Sequence, residues 1–272
     1  MATISLCMIV KNESAVLARC LDSIADLMDE IIIVDTGSTD NTKEIAAQYT
    51  SRIYDFKWTS DFSAARNFSF SKATMEYIYT ADADEILDDA NRERFLRLKD
   101  ALLPEIEIVQ MKYVTQGTFD TVLNAKKEYR PKLFRRLRTF TWIDPIHETV
   151  RLTPVTFDSD VEILHCPQSL HSKRDFSIFI KAFEHDGQFS PKIRTMYAKE
   201  LLKTGDKKDF TDAKPIFQLI FDNDPADDAR KEAACVLARI YRMEDNKNEF
   251  FKLTMNCLLY TSPSPRDGLL SR

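Results

Sequence analysis

The chain has 272 residues, of which 44% are hydrophobic and 30% charged, an ordinary composition for a globular protein. Its formal net charge of -5 argues against an electrostatic grip on nucleic acid. No apolar run reaches the roughly 20 residues that a membrane helix needs, and the N-terminus lacks the features of a signal peptide. Five cysteines without close pairing favour buried free thiols in a reducing compartment. We therefore expect a cytoplasmic protein without a transmembrane segment, either free or peripheral at the inner membrane face.

The first part of the chain alternates short apolar runs, typical of buried strands, with segments of helical spacing. The strand patterns lie at 4–10, 31–34, 52–56 and 76–80. The helix patterns lie at 17–27, 41–48 and 63–73, and a further helix is expected at 91–102. This order predicts an α/β fold with a mostly parallel sheet and helices on both faces.

The second part of the chain changes character twice. Between 106 and about 164 there are strand-like runs, which we interpret as antiparallel additions to the sheet. From about Ser172 the chain is helical with short polar turns, which predicts helix pairs of the tetratricopeptide type. We expect an α/β domain over 1–171 and a small helical region over 172–256. The segment 257–272 resembles a translated sequencing adaptor, so we expect an artefact that is disordered.

Polar side chains follow three of the strand patterns. Asn12 and Glu13 follow the first, Asp35 the second, and Asp82 and Asp84 the fourth. The carboxyl ends of parallel strands meet at one edge of a sheet, and ligands bind at that edge. We therefore expect these side chains to lie close together.

Asp82 and Asp84 predict a metal site. Two carboxylates repel each other at short range unless a cation or a proton lies between them, and Mg²⁺ or Mn²⁺ combines such oxygen ligands with substrate phosphates. The chain has only five glycines and neither glycine-rich nucleotide-binding pattern, so a bound pyrophosphate would need another positive charge. A metal would supply that charge and stabilise a leaving diphosphate. The alternative is a pair of solvated acids in a loop.

Four motifs occur in order and at suitable distances: ISLCMIVKNE (4–13), DEIIIVDTGSTD (29–40), DFSAARN (61–67) and DAD (82–84). Together they resemble the family 2 glycosyltransferases with a GT-A fold, especially a bacterial subgroup with a tetratricopeptide-like C-terminal region that includes enzymes glycosylating peptide cysteines. The resemblance implies a GT-A domain over 1–171 that uses a nucleotide-sugar donor, with UDP as the favoured nucleotide. The implied acceptor is a surface glycan, a lipid-linked sugar or a peptide, and the implied stereochemistry is inversion.

The resemblance also implies nucleotide contacts. Asp35 would hydrogen-bond the base of the donor, although Thr36 stands where family members often have a second acid. Asn12 and Glu13 would line the nucleotide pocket. Arg66 would face the base or the diphosphate; the alternative is a helix-surface arginine.

For the metal, the resemblance implies that Asp82 contacts the ribose or the ion and that Asp84 binds the ion. A late histidine often joins the metal in GT-A enzymes, so His165 would complete the shell; a structural histidine beside Cys166 is the alternative.

A general base is implied near the WIDPIHE segment (142–148). Glu148 would remove the acceptor's proton, with His147 as its substitute and Asp144 as a weaker alternative, through an oxocarbenium-like transition state. A surface His–Glu pair at a turn is the alternative interpretation. The basic run Arg130–Arg136 would meet a diphosphate or an acidic acceptor, or form a solvated strand face.

Two other functions stay open at this point. Phosphotransferases of the haloacid dehalogenase type also use Asp-x-Asp, but they place it on the first strand with a Thr or Ser soon after. Alternatively, the helical region belongs to a non-catalytic binding module that makes protein contacts. Thermal stabilisation by UDP with Mn²⁺, but not by phosphate analogues alone, would separate a glycosyltransferase from the phosphotransferase. Hydrolysis of a nucleotide sugar without acceptor would separate it from the binding module.

Overall fold

The computed structural model describes residues 1–115, 127–136, 142–143, 146, 149–150, 154–166 and 172–261. The chain forms two compact units, Met1–Leu170 and His171–Arg272, and this division lies next to the boundary that we predicted after residue 171. Across the described residues, every helix is too short or too polar to span a lipid bilayer.

The first unit begins with the predicted alternation of strands and helices. Its strands are β1 (Ile4–Val10), β2 (Glu30–Asp35), β3 (Ile53–Asp55) and β4 (Tyr77–Thr80). Its helices are α1 (Leu17–Ile24), α2 (Thr42–Ala46) and α3 (Phe62–Ser71). β1 pairs in parallel with β2 and β4, and β2 pairs in parallel with β3, which confirms the predicted parallel sheet.

The rest of this unit extends the sheet. Its elements are β5 (Glu85–Ile86), α4 (Asp89–Ala101), β6 (Ile108–Thr115), β7 (Lys127–Arg135), β8 (Trp142–Ile143), β9 (Thr149–Val150) and β10 (Thr156–His165). Within the described residues, eight strands form one sheet in the order β3-β2-β1-β4-β7-β6-β10-β5, and β8 pairs separately with β9.

One strand direction differs from the prediction. β7 is antiparallel to both β4 and β6, as we expected. β10 is antiparallel to β5 but parallel to β6, so the prediction of antiparallel additions is wrong for the pairing of β10 with β6. An apolar run has the same pattern in either direction, and direction depends on the path of the connecting chain. Here the connection through β7, β8 and β9 returns the chain to the start of β6, where Thr156 pairs with Ile108.

Alternation along the strands gives the sheet two apolar faces. On one face, Leu6 and Met8 of β1 pack in the same cluster as Leu21 of α1 and Phe95 of α4. On the other face, neighbouring strand residues pack with Phe70 of α3. Helices therefore cover both faces of the sheet, as predicted. The prediction of buried free thiols is confirmed for Cys7 and Cys20. It is wrong for Cys235, which is an exposed free thiol.

The second unit is helical. It contains α5 (Ser172–Asp186), α6 (Pro191–Thr204), α7 (Lys207–Asn223), α8 (Asp227–Met243) and α9 (Lys247–Thr261). Besides sequential contacts, α5 packs on α7 and α6 packs on α8. The buried ring of Tyr197 stacks on Phe179 at 4.7 Å and lies 5.3 Å from Phe217. The tetratricopeptide character stays a prediction. α9 includes 257–261 of the segment that we expected to be disordered, and 262–272 lies outside the described residues.

Candidate active site

Asp35, the last residue of β2, is buried and holds the turn that follows it. Its Oδ1 atom accepts hydrogen bonds from the backbone N–H groups of Gly37 and Ser38, both at 2.9 Å. Its Oδ2 atom is buried and has no hydrogen-bond partner among the described residues. An unsatisfied buried acceptor costs free energy, so a ligand N–H that reached this oxygen would form a favourable contact.

Asn12 and Glu13 join the loops after β1 and β2. Asn12 has a positive backbone φ angle of 55°, in the left-handed region that asparagine tolerates better than most residues. Its Oδ1 accepts from the backbone N–H of Thr39 at 2.8 Å, and its own N–H donates to Ser38 Oγ at 2.9 Å. The N–H of Glu13 donates to Thr42 Oγ1 at 2.8 Å. The two loops are thus fixed together beside the Asp35 turn, and the Asn12 amide oxygen takes part in that contact.

Arg66 on α3 reaches the carboxyl end of β4. Its Nη1 donates to the hydroxyl of Thr80, the last residue of β4, at 2.5 Å. Asp82 follows two residues later and is exposed, while its backbone carbonyl accepts from the N–H of Glu85 at 3.1 Å. Arg66 therefore lies at the ligand edge of the sheet rather than on an outer helix surface.

Asp84 and His165 are in direct contact. The Nε2 atom of His165 lies 3.0 Å from Oδ2 of Asp84, and their side chains are 16% and 18% exposed. The backbone supports this contact, because Cys166 N–H donates to the Asp84 carbonyl at 3.0 Å and His165 pairs with Glu85 of β5. Strand pairing thus brings the late histidine to the second aspartate of the DAD motif.

The Asp84–His165 pair fits a divalent cation with few protein ligands. Asp82 does not complete a three-residue cluster with it: in the described part of the chain, no group of three or more His, Cys, Asp or Glu could hold a metal ion. However, Mg²⁺ at substrate phosphates usually takes only one or two carboxylates from the protein. The observed separation of 3.0 Å is that of a hydrogen bond between the two side chains, so the pair would hold such an ion with a carboxylate oxygen and an imidazole nitrogen in place of that hydrogen bond.

A buried ion pair adjoins the DAD motif. Oε1 of Glu85 accepts from Nζ of Lys132 at 2.5 Å, and the two residues are 2% and 5% exposed. The pairing of β6 with β7 passes from Val109–Leu133 to Gln110–Pro131, so Lys132 is the extra residue of a β-bulge. The interpretation of the basic run as a solvated strand face is wrong for Lys132, which is buried. A proline within a strand pattern was the signal for this bulge, because proline cannot donate to the ladder.

The electrostatic surroundings of Asp82 favour its charged form. The pKa of Asp82 is lowered: desolvation by the surrounding protein raises it, but attraction to nearby cations outweighs that effect. In order of size, the attractions come from Lys132, Arg66, Arg130 and His165. Burial raises the pKa of Glu85, and the Lys132 ammonium opposes that rise. This edge of the sheet thus combines acidic and basic side chains within electrostatic reach of each other.

The residues predicted for the general base lie outside the described residues. They are Glu148, His147 and Asp144. On either side of this segment, β8 and β9 pair with each other, and β8 lies against α3, the helix that carries Arg66.

Two relatives match parts of this chain in sequence. A TPR repeat-containing protein of Synechococcus elongatus is 48% identical over 87 residues, 32% of this chain and 22% of the relative. The SPbeta prophage-derived glycosyltransferase SunS of Bacillus subtilis is 33% identical over 132 residues, 47% of this chain and 31% of SunS. The chain thus spans less than a third of the length of either relative.

One solved structure resembles this chain in fold, and a family model matches part of its sequence. S. aureus TarS matches with a TM-score of 0.51 at 11% identity, covering 92% of this chain and 54% of TarS, which shows likeness of fold alone. The model described as "Glycosyl transferase family 2" matches residues 5–153, more than half of the 272 residues, and this range contains β2, β3, β4 and all but the first residue of β1. This chain therefore belongs to glycosyl transferase family 2.

Proposed function

We propose that this protein is a metal-dependent glycosyltransferase that moves a sugar from a nucleotide-diphosphate donor to an acceptor. The donor that we favour is a UDP-sugar. One observation carries the proposal: the 3.0 Å contact between Asp84 and His165, with the exposed Asp82 two residues before Asp84 at the carboxyl edge of the sheet. Membership of the family supports sugar transfer as the chemistry.

The donor would lie along the ends of β2 and β4. Asp35 would accept an N–H of the base with its Oδ2 atom, which is unpartnered among the described residues. Uracil offers such an N–H. Arg66, held at the end of β4 by Thr80, would attract the diphosphate, and Asp82 would bind the ribose or the cation.

Asp84 and His165 would hold the divalent cation. When bound, Mn²⁺ or Mg²⁺ supplies positive charge to the diphosphate as the bond from the sugar to the phosphate breaks. Glu148, or His147 in its place, would take the acceptor's proton as the acceptor attacks the anomeric carbon. Attack opposite the departing diphosphate inverts the configuration at that carbon. The general base and the inversion rest on the family resemblance.

The acceptor would be a surface glycan, a lipid-linked sugar or a peptide, and the helical unit would recognise it. Deleting 172–256 should then lower acceptor turnover while donor hydrolysis continues. Unchanged acceptor turnover in this deletion would refute a role for the helices in recognition.

The test of the function is a panel of nucleotide sugars incubated with Mn²⁺, with hydrolysis and thermal stabilisation measured together. We expect UDP with Mn²⁺ to raise the melting temperature and one UDP-sugar to be hydrolysed. Asp84→Ala should lose both effects, and the exposed Asp100→Ala should keep them. Stabilisation by phosphate analogues alone would indicate an Asp-x-Asp phosphotransferase. A folded protein without nucleotide binding or turnover would indicate a binding module.

A further inference from the structure

Three neighbouring strands bring an aromatic ring to the Asp84–His165 pair. Tyr113 on β6 pairs with Ile163 on β10, so His165 projects from the same face of the sheet as a diagonal neighbour of Tyr113. The ring centroids of Tyr113 and His165 lie 5.0 Å apart with an interplanar angle of 34°. Tyr113 is 2% exposed, so its ring has little freedom to move away.

The Tyr113 ring is itself fixed by a cation. The guanidinium carbon of Arg130, on the adjacent β7, lies 3.7 Å from the centroid of the Tyr113 ring. Arg130 Nε in turn donates to Oε1 of Glu128 at 2.6 Å. A guanidinium held over a ring at this distance stabilises the stacked arrangement.

Hydrogen bonding to the described residues fixes only one nitrogen of the His165 ring, so the orientation of the ring also depends on packing. One ring nitrogen, Nε2, meets Asp84 at 3.0 Å. The other, Nδ1, is buried and has no hydrogen-bond partner among the described residues. Metal-binding histidines usually have their second nitrogen held by a hydrogen bond, which fixes the ring. The Tyr113 ring, at 5.0 Å from the imidazole, is a neighbour that can fix the ring by packing.

We propose that Tyr113 is a positioning residue: its ring holds the His165 imidazole so that Nε2 is directed at Asp84 and at the cation that the two would share. The cation belongs to the proposed function, whereas the orientation of His165 is a property of the metal-free protein. The two are therefore tested by different measurements.

The first measurement uses metal-free protein labelled with ¹⁵N-histidine. Tyr113→Leu should shift the ring signals of His165, which His165→Gln identifies by their loss. Tyr113→Phe keeps an aromatic ring at this position, so the His165 signals should stay as they are in the wild type. Phe95→Leu is the matched control, because Phe95 is a buried ring in the same core cluster as Tyr113. The Phe95 ring packs on Tyr79, with the ring centroids 5.3 Å apart. This substitution should leave the His165 signals unchanged.

The second measurement is the dissociation constant of UDP with Mn²⁺, by calorimetry. We expect Tyr113→Leu to weaken this binding about tenfold, as loss of a residue that orients a ligand does, and Phe95→Leu to change it less than about twofold. On a His165→Ala background, Tyr113→Leu should have no further effect. If Tyr113→Leu does not fold, Tyr113→Met fills the space with an unbranched chain and takes its place.

Several results would overturn the proposal. They are unchanged His165 signals in a folded Tyr113→Leu or Tyr113→Met protein, an equal shift in Phe95→Leu, or a full additional loss of binding on the His165→Ala background. If wild-type protein shows no Mn²⁺-dependent UDP binding, the proposed function fails, and the His165 signals still decide the role of Tyr113.

Discussion

His165 lies 3.0 Å from Asp84 although the two are 81 positions apart in the chain. The contact depends on β10, which runs parallel to β6 and ends beside β5, the short strand that follows the DAD motif. The last strand of the first unit therefore returns to the loop after its fourth strand. Any ion held at this point is bound by residues from two distant segments.

Asp84→Asn should remove the metal-dependent part of nucleotide binding. The amide retains an oxygen but loses the negative charge that attracts a divalent cation. We expect the dissociation constant of UDP in Mn²⁺ to rise at least about tenfold, and that of UDP without metal to change little. Calorimetry with and without Mn²⁺ measures both, with Asp100→Asn as the exposed control. Equal weakening in the two conditions would show that Asp84 acts on UDP without a metal.

Asp35→Asn should weaken nucleotide binding without opening the turn after β2. One oxygen remains to accept from Gly37 and Ser38, and an amide nitrogen takes the place of Oδ2, which has no partner among the described residues. A lost hydrogen bond to a charged acceptor corresponds to about 1.5–3 kcal/mol, or roughly 10- to 150-fold in affinity. The dissociation constants of UDP and of uridine, measured for the variant and for wild type, give this loss. A variant that binds both as tightly as wild type does would remove Asp35 from the base site.

Part of the fold and of the candidate site could be predicted because the signals are local. Each of β1 to β4 is a short apolar run, and each is separated from the next by a helical pattern, which implies parallel order. That order alone places Asp35, Asp82 and Asp84 at one edge. The direction of β10 could not be predicted, because its alternation carries no direction.

Lys132 shows a different limit of the sequence. Regular alternation would assign one inward face to β7, but the bulge at Pro131 adds a residue and turns a lysine into the core. Its partner Glu85 comes from β5, which contributes only two residues to the sheet. A pairing between a bulge and so short a strand depends on tertiary packing and leaves no periodic signal.

The Lys132–Glu85 pair should make Lys132→Met strongly destabilising. Removing the ammonium leaves a buried carboxyl without its cation, which typically costs about 3–5 kcal/mol of the free energy of unfolding. The double variant Lys132→Met, Glu85→Gln removes both charges and should cost less than Lys132→Met alone. Urea denaturation measures all three proteins, with the exposed Lys57→Met as a control expected to change by less than about 0.5 kcal/mol. A double variant that is less stable than the single one would contradict the ion-pair explanation.

Asp40 ties together the two loops at the ligand edge. Its Oδ1 accepts from the N–H and the hydroxyl of Thr42 at 3.1 and 2.6 Å, and its Oδ2 accepts from the N–H of Ser14 at 3.1 Å. Partial desolvation raises the pKa of Asp40, but these hydrogen bonds outweigh it and lower the pKa from 3.8 to about 2. Because the folded state has the lower pKa, the ionised side chain stabilises the fold above the unfolded pKa.

Asp40→Asn should therefore reduce stability in a pH-dependent way. We expect a loss of about 1 kcal/mol in the free energy of unfolding at neutral pH, after allowing for solvent screening at this half-buried site. The difference from wild type should shrink as the pH falls from about 4 to about 2, because the wild-type carboxylate becomes protonated over this window. Urea denaturation at several pH values measures the difference, with Asp100→Asn as the exposed control. A difference that stays constant through this window would mean that Asp40 stabilises the loops by shape and neutral hydrogen bonds rather than by its charge.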